Sequence, residues 1–166
     1  STITNTRQLT ENVTDIHYFN GHLWFSESHN FSIKKINLEN EETNIYQIWI
    51  KPKTVGIEPE WNMAEFPKEP VEDSLQLLVS GDKTAPLNIN QDARIYAGRL
   101  NKGIKVKHNV IGKAYVLISE GNIDVNGNKT EKGDGLSISD ETSLEFEALN
   151  DAELLIIEVP GKENAR

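Results

Sequence analysis

Residues 98–160 read GRLNKGIKVKHNVIGKAYVLISEGNIDVNGNKTEKGDGLSISDETSLEFEALNDAELLIIEVP. Short apolar runs, several of them alternating with polar residues, are separated at nearly even intervals by Gly, Asn and Asp. That spacing predicts five or six antiparallel strands closed into a small barrel or sandwich. Ile104, Val106, His108 and Val110 share one side of a strand, with Lys105, Lys107 and Asn109 on the other. The lysines must face water, so His108 is expected to point inward. Tyr115 to Ile118 is a continuous apolar run, and Ile123 and Val125 alternate toward Asn126-Gly127, a tight-turn pair. Gly133-Asp134-Gly135 precedes Leu136 and Ile138, Leu144 and Phe146 alternate with glutamates, and Leu154 to Val159 closes the sheet ahead of Pro160. No amphipathic helix of any length is present, so the fold class is all-β.

Upstream, alternation begins at Val13 to Phe19, and Leu23, Trp24 and Phe25 form a compact apolar cluster after Gly21 and His22. The segment 34–44 is polar and reads as a solvated loop or hairpin tip, with Glu39, Glu41 and Glu42 at its end. Ile45 to Ile50 (IYQIWI), β-branched and aromatic, is the best central strand of the first half. Pro52, Pro59, Pro67 and Pro70 then mark an extended connector outside any sheet, because proline removes a ladder donor. Short strands are expected at Ser74 to Val79, Ala85 to Ile89 and Ile95 to Leu100. No internal repeat or low-complexity stretch occurs.

The 166 residues suffice for one ordinary domain, or one with an appended partial domain. Cysteine is absent, so nothing here needs an oxidising compartment or supplies a thiolate. The net charge of −9 disfavours nucleic acid and anionic membranes as partners, since like charges would have to approach. Residues 1–12 show no cationic segment followed by an apolar one, and no run reaches membrane-span length. A cytoplasmic protein is expected.

Five segments, YQIWI (46–50), GIEP (56–59), QDARIYAGRL (91–100), VNG (125–127) and GDGL (133–136), resemble in the same order the carboxy-terminal cupin domain of pirins. The resemblance covers about Tyr46 to Pro160 and implies a double-stranded β-helix barrel of the jelly-roll kind. Full pirins resemble two such barrels in tandem, with the metal held by the first through an HxH pair and a later His-x-Glu. Three imidazoles and a carboxylate of that sort suit Fe(II) or a similar divalent ion. Here Phe25-Ser26-Glu27 falls where His-Ser-Glu would stand. Glu27 matches the carboxylate ligand, Phe25 replaces its histidine, and the HxH strand has no counterpart. In a second alignment, His22, Trp24, His29, Phe31 and Ser32 resemble the arm that precedes the first pirin barrel. The first alignment is preferred because it leads continuously into YQIWI; neither leaves an intact metal site in one chain. The resemblance also implies, as an alternative, a quercetin 2,3-dioxygenase-like oxygenase whose ligands another subunit would complete.

The general cupin signature leaves little at its usual positions. After Gly103 only His108 is found, Val110 takes the second histidine position, no glutamate follows before Val116, and Ser139-Asp140 lies where a last histidine is sought. His108 is therefore read first as a core or barrel-mouth histidine bonded to a neighbour, and second as the candidate for acid/base catalysis. His17, His22 and His29 lack the spacing of a strand or helix ligand pair and read as loop and turn residues. Glu27 reads first as a solvated or capping carboxylate and second as a metal candidate. Trp49 is expected in the core, with Trp24 and Trp61 covering an edge or interface. No nucleophilic triad, phosphate-cradling glycine loop or zinc spacing occurs.

These readings give an amino-terminal arm at 1–44, the remnant of a first barrel, a cupin barrel at 45–160 and a polar tail at 161–166. They predict a binding or interaction module without bound cofactor, Fe or another divalent metal being the alternative. A homo-oligomer is expected through the apolar arm residues, with a further protein partner possible.

Overall fold

The structure, a computed structural model, describes residues 14–19, 22–26, 47–65 and 68–161, with backbone alone at 14–19, 22–26 and 47. The described chain falls into two compact units that part between residues 66 and 67.

The first unit holds one antiparallel sheet of four strands: β1 (Thr14–Phe19), β2 (His22–Ser26), β3 (Gln47–Ile50) and β4 (Trp61–Glu65), in the order β3-β1-β2-β4. Three sequence expectations change here. The strand at 45–50, expected to open the barrel, pairs β1 instead, so the expected division at residues 44 and 45 differs from where the units part. The proline-rich segment, expected to lie outside any sheet, contributes β4, which pairs β2. The reason is local: residues 60–66 contain no proline, and β4 is an edge strand whose outer side needs no ladder partner. Trp49, expected in the core, is 45% exposed. β3 is the opposite edge strand, and its period of two buries Ile48 and Ile50 while turning Trp49 to the other face.

Ten strands are described in the second unit. They are β5 (Gln76–Ser80), β6 (Leu87–Asn88), β7 (Arg94–Leu100), β8 (Lys105–Asn109), β9 (Lys113–Glu120), β10 (Asn122–Val125), β11 (Asn128–Glu131), β12 (Gly135–Ile138), β13 (Ser143–Ala148) and β14 (Ala152–Val159). One sheet runs β12-β9-β14-β7-β5-β6 and the other β11-β10-β13-β8. From β7 onward the chain passes from one sheet to the other at almost every connection, with only the β10–β11 hairpin staying within a sheet. This is the jelly-roll winding of a cupin barrel.

Left-handed residues make the turns between these strands possible. Gly103, Gly112, Gly121, Asn126, Gly127, Gly133 and Asp140 all have positive φ, and each stands between two consecutive strands. Asn126 (φ 49°) and Gly127 (φ 82°) form the two-residue turn whose twist matches the flanking strands. The alternating residues meet between the sheets. Val106, Ile118, Ile123, Leu144, Phe146, Leu154 and Ile156 belong to one continuous buried cluster drawn from both. Burying a side chain of this size stabilises the fold by about 1.5–3 kcal/mol. The run at 115–118 is not uniformly buried, since Val116 and Ile118 enter this cluster while Tyr115 and Leu117 face the other side.

Candidate functional site

One end of the barrel interior is polar. On β14, Leu154 and Ile156 point into the cluster, so alternation carries Glu158 to the same inner face. Glu158 stands in register with Arg94 of β7 and Ala114 of β9. Tyr96 follows Arg94 on that face and packs against the cluster. From the facing sheet, β8 presents Val106 to the cluster and His108 one inward step closer to the rim.

His108 and Glu158 meet across the barrel. His108 Nε2 lies 3.0 Å from Glu158 Oε1, with the residues 8% and 2% exposed. The Ile111 backbone N–H donates to the same oxygen at 3.3 Å. Gly112 permits this approach: its φ is +86°, and a Cβ there would fall 2.5 Å from the Val159 carbonyl oxygen. The turn can therefore press on the end of β14 only with glycine at that place. The Tyr96 ring meets the His108 ring edge-on, with centroids 4.5 Å apart and planes at 70°. Glu158 Oε2 is buried and has no hydrogen-bond partner among the described residues. An unpaired carboxylate oxygen of this kind costs free energy and calls for a donor.

Beside this pair opens a cavity of about 650 Å³, lined in part by Asp82, Asp92, Arg94, Ile111, Gly112 and Glu158. Arg94 donates to Asp82 at 2.9 Å. Asp82 also accepts the Thr84 hydroxyl and, at 3.2 Å, the Thr84 backbone N–H. Hydrogen bonds from the Thr84 side chain first, then from Arg94 and Ser80, hold the Asp82 carboxyl well below the usual carboxylate range. The bond to Asp82 in turn raises the Arg94 guanidinium. Burial, followed by the charge of Glu158, pushes the Tyr96 phenol up.

The structure thus places His108 inward and bonded to a neighbour. Val110 is buried as an apolar residue, while Ser139 and Asp140 are exposed at the β12–β13 turn and do not join His108. Among the described residues, no group of three or more His, Cys, Asp or Glu side chains is placed to hold a metal ion. A first-row ion in an N/O site takes three or four protein donors. The described barrel interior offers one imidazole and one carboxylate already bonded to each other, which does not fit such an ion. Glu27 and His29 lie outside the described residues. His17 and His22 lie on β1 and β2, where only backbone is described, with His17 opposite Trp24 and His22 opposite Phe19. Sequence reasoning missed Glu158, Arg94 and Asp82. The available signal for Glu158 was a lone carboxylate inside LLIIEVP, on the parity of Leu154 and Ile156.

Residues 77–159 match the family described as the quercetinase C-terminal cupin domain. A Pseudomonas aeruginosa protein with a provisional quercetin 2,3-dioxygenase name is 39% identical over 127 residues, which cover 74% of this chain and 55% of that protein. The quercetin 2,3-dioxygenase of Escherichia coli K12 is 32% identical over 123 residues, covering 72% of this chain and 52% of the relative. The crystal structure of the bacterial pirin YhhW from Escherichia coli in complex with nickel(II) superposes with a TM-score of 0.71 at 25% identity. It covers 90% of this chain and 69% of that one. The chain spans about half the length of the curated relatives it matches. With its jelly-roll winding and this match over half its length, the chain belongs to the pirin family of cupins, and residues 77–159 are a pirin carboxy-terminal cupin domain.

Proposed function

We propose that the barrel is a binding module of a pirin-like protein and is not itself a metal centre. The observation that carries this reading is that His108 and Glu158, the imidazole and carboxylate inside the described barrel, are bonded to each other through Oε1 at 3.0 Å, and apolar side chains fill the space beyond them. A cytoplasmic place belongs to the same reading, and the absence of cysteine is compatible with it. Self-association through the first unit belongs to it as well, supported by the exposure of Trp49, Trp61 and Met63. Elemental analysis of the purified 166-residue chain tests the central claim, with light scattering on the same sample reporting self-association. Metal far below one equivalent per chain is the expected result. Stoichiometric Fe, Ni, Cu or Mn that disappears in His108→Ala would overturn it.

A second reading, a quercetin 2,3-dioxygenase-like oxygenase whose ligands come from elsewhere, is favoured by the names of the relatives and by the nickel(II) in the YhhW complex. Flavonol ring opening that appears only when a longer relative's amino-terminal half is added would support that alternative.

A further inference from the structure

We propose that Asn126-Gly127, the tip of the β10–β11 hairpin, is a self-modification site: the asparagine deamidates through a cyclic imide, and opening of the turn sets the rate. The chemistry is independent of what the barrel binds.

In this step the Gly127 amide nitrogen bonds to Cγ of Asn126 and the Cγ–Nδ2 bond breaks. Nδ2 leaves as ammonia with the proton given up by the Gly127 nitrogen. Water then opens the five-membered imide at either carbonyl, leaving aspartate or isoaspartate. Nothing is oxidised or reduced, and water is the co-reactant. A glycine after the asparagine has no side chain to hinder the attacking nitrogen. Asn-Gly occurs at 20–21 and at 126–127, and the second lies within the described residues. Asn126 and Gly127 are both exposed, and a Cβ built on Gly127 would meet nothing within 4 Å, so water reaches the reacting atoms.

The closed turn holds those atoms apart. Asn126 Oδ1 accepts the Glu145 backbone N–H at 2.7 Å, and Nδ2 donates to the Ser143 carbonyl at 3.3 Å. The Asn126 backbone N–H donates to the Glu145 carbonyl at 3.0 Å. The side-chain amide is thereby laid against β13, just past the β10–β13 pairing that ends at Val125 opposite Phe146. Gly127 N–H donates to Asp124 Oδ1 at 2.6 Å. Electrophile and nucleophile are each tied to a different partner, and both must be released before Cγ and the nitrogen can meet. Each net hydrogen bond is worth a factor of roughly 2–13, so releasing the side-chain amide and the Gly127 N–H slows ring closure by about tenfold or more. Release is one-way. A carboxylate at 126 has no donor for the Ser143 carbonyl, and isoaspartate adds a backbone carbon to a turn built for two residues. Modified chains therefore cannot re-form the clamp.

The test incubates the 166-residue chain at mildly alkaline pH, folded or in urea, and follows residue 126 by mass spectrometry of proteolytic peptides, with chromatography separating aspartate from isoaspartate. Modification of Asn126 is expected in the unfolded chain, and about tenfold or more slowly in the folded one. Asp124→Ala frees the Gly127 N–H, so it should speed the reaction severalfold in the folded chain and leave the unfolded rate unchanged. In the unmutated chain the rate should climb with urea well below the global midpoint, which reports opening of the turn without a substitution. No modification of Asn126 in urea, equal rates in folded and unfolded chains, a folded Asp124→Ala that reacts no faster, or a rate that rises only at the global midpoint overturns the proposal.

Discussion

Replacing His108 with leucine removes the strongest partner of a carboxylate that cannot reach water. In the native barrel, Glu158 Oε1 has the imidazole at 3.0 Å and the Ile111 N–H at 3.3 Å, and Oε2 has no partner among the described residues. After the substitution a buried charge keeps one long backbone hydrogen bond. Breaking one side of a buried pair costs about 3–5 kcal/mol. The surviving Ile111 contact places the expected loss near the lower end, about 3 kcal/mol, or roughly 12–24 °C in Tm for a cooperative unit of about a hundred residues. The companion variant His108→Leu with Glu158→Met removes the orphaned charge, and its stability should return to within about 1 kcal/mol of wild type. Urea unfolding followed by far-UV circular dichroism is the suitable assay. All three tryptophans, Trp24, Trp49 and Trp61, fall within residues 9–66, so tryptophan fluorescence reports the first unit and not the barrel. Equal destabilisation of the single and double variants would refute the reasoning, because it would assign the loss to packing volume and not to the unpaired charge. An unchanged single variant would refute it as well.

Two further outcomes are open to direct measurement. Gly127 has φ +82°, and a methyl group added there would meet no atom within 4 Å, so Gly127→Ala carries a purely conformational cost of about 1–2 kcal/mol, read as a lower urea midpoint; an unmoved midpoint would mean that the hairpin turn relaxes freely. Tyr96 should ionise above the ordinary tyrosine value in an alkaline absorbance titration, and Tyr96→Phe should remove that late phase. Since its folded value is raised, its contribution to stability is complete below the unfolded value near 10 and is lost as pH rises through the folded one; a late phase that survives Tyr96→Phe would contradict this.

The alternation within 98–160 announced the barrel strands because sheet burial has a period of two and the intervening Gly, Asn and Asp supply left-handed turns. His108 was legible as an inward residue for the same reason: its neighbours Lys105 and Lys107 are exposed. The assignments that changed depended on context outside the local run. IYQIWI has the composition of a central strand, yet β3 is an edge, because composition measures burial preference and not position in the sheet order. WNMAE was obscured by the prolines on either side of it.

The sequence by itself determined the all-β class, the jelly-roll rhythm, the inward direction of His108 and the family resemblance, since each depends on short-range periodicity and ordered motifs. Only the tertiary structure decided what His108 faces. Glu158 lies fifty positions further on and in the other sheet, and the meeting of the two is fixed by barrel closure, by the register of β14 with β7 and β9, and by the glycine that lets the β8–β9 turn reach the end of β14. Those are long-range constraints, and no local pattern of residues encodes which inward side chains will share one end of a closed barrel.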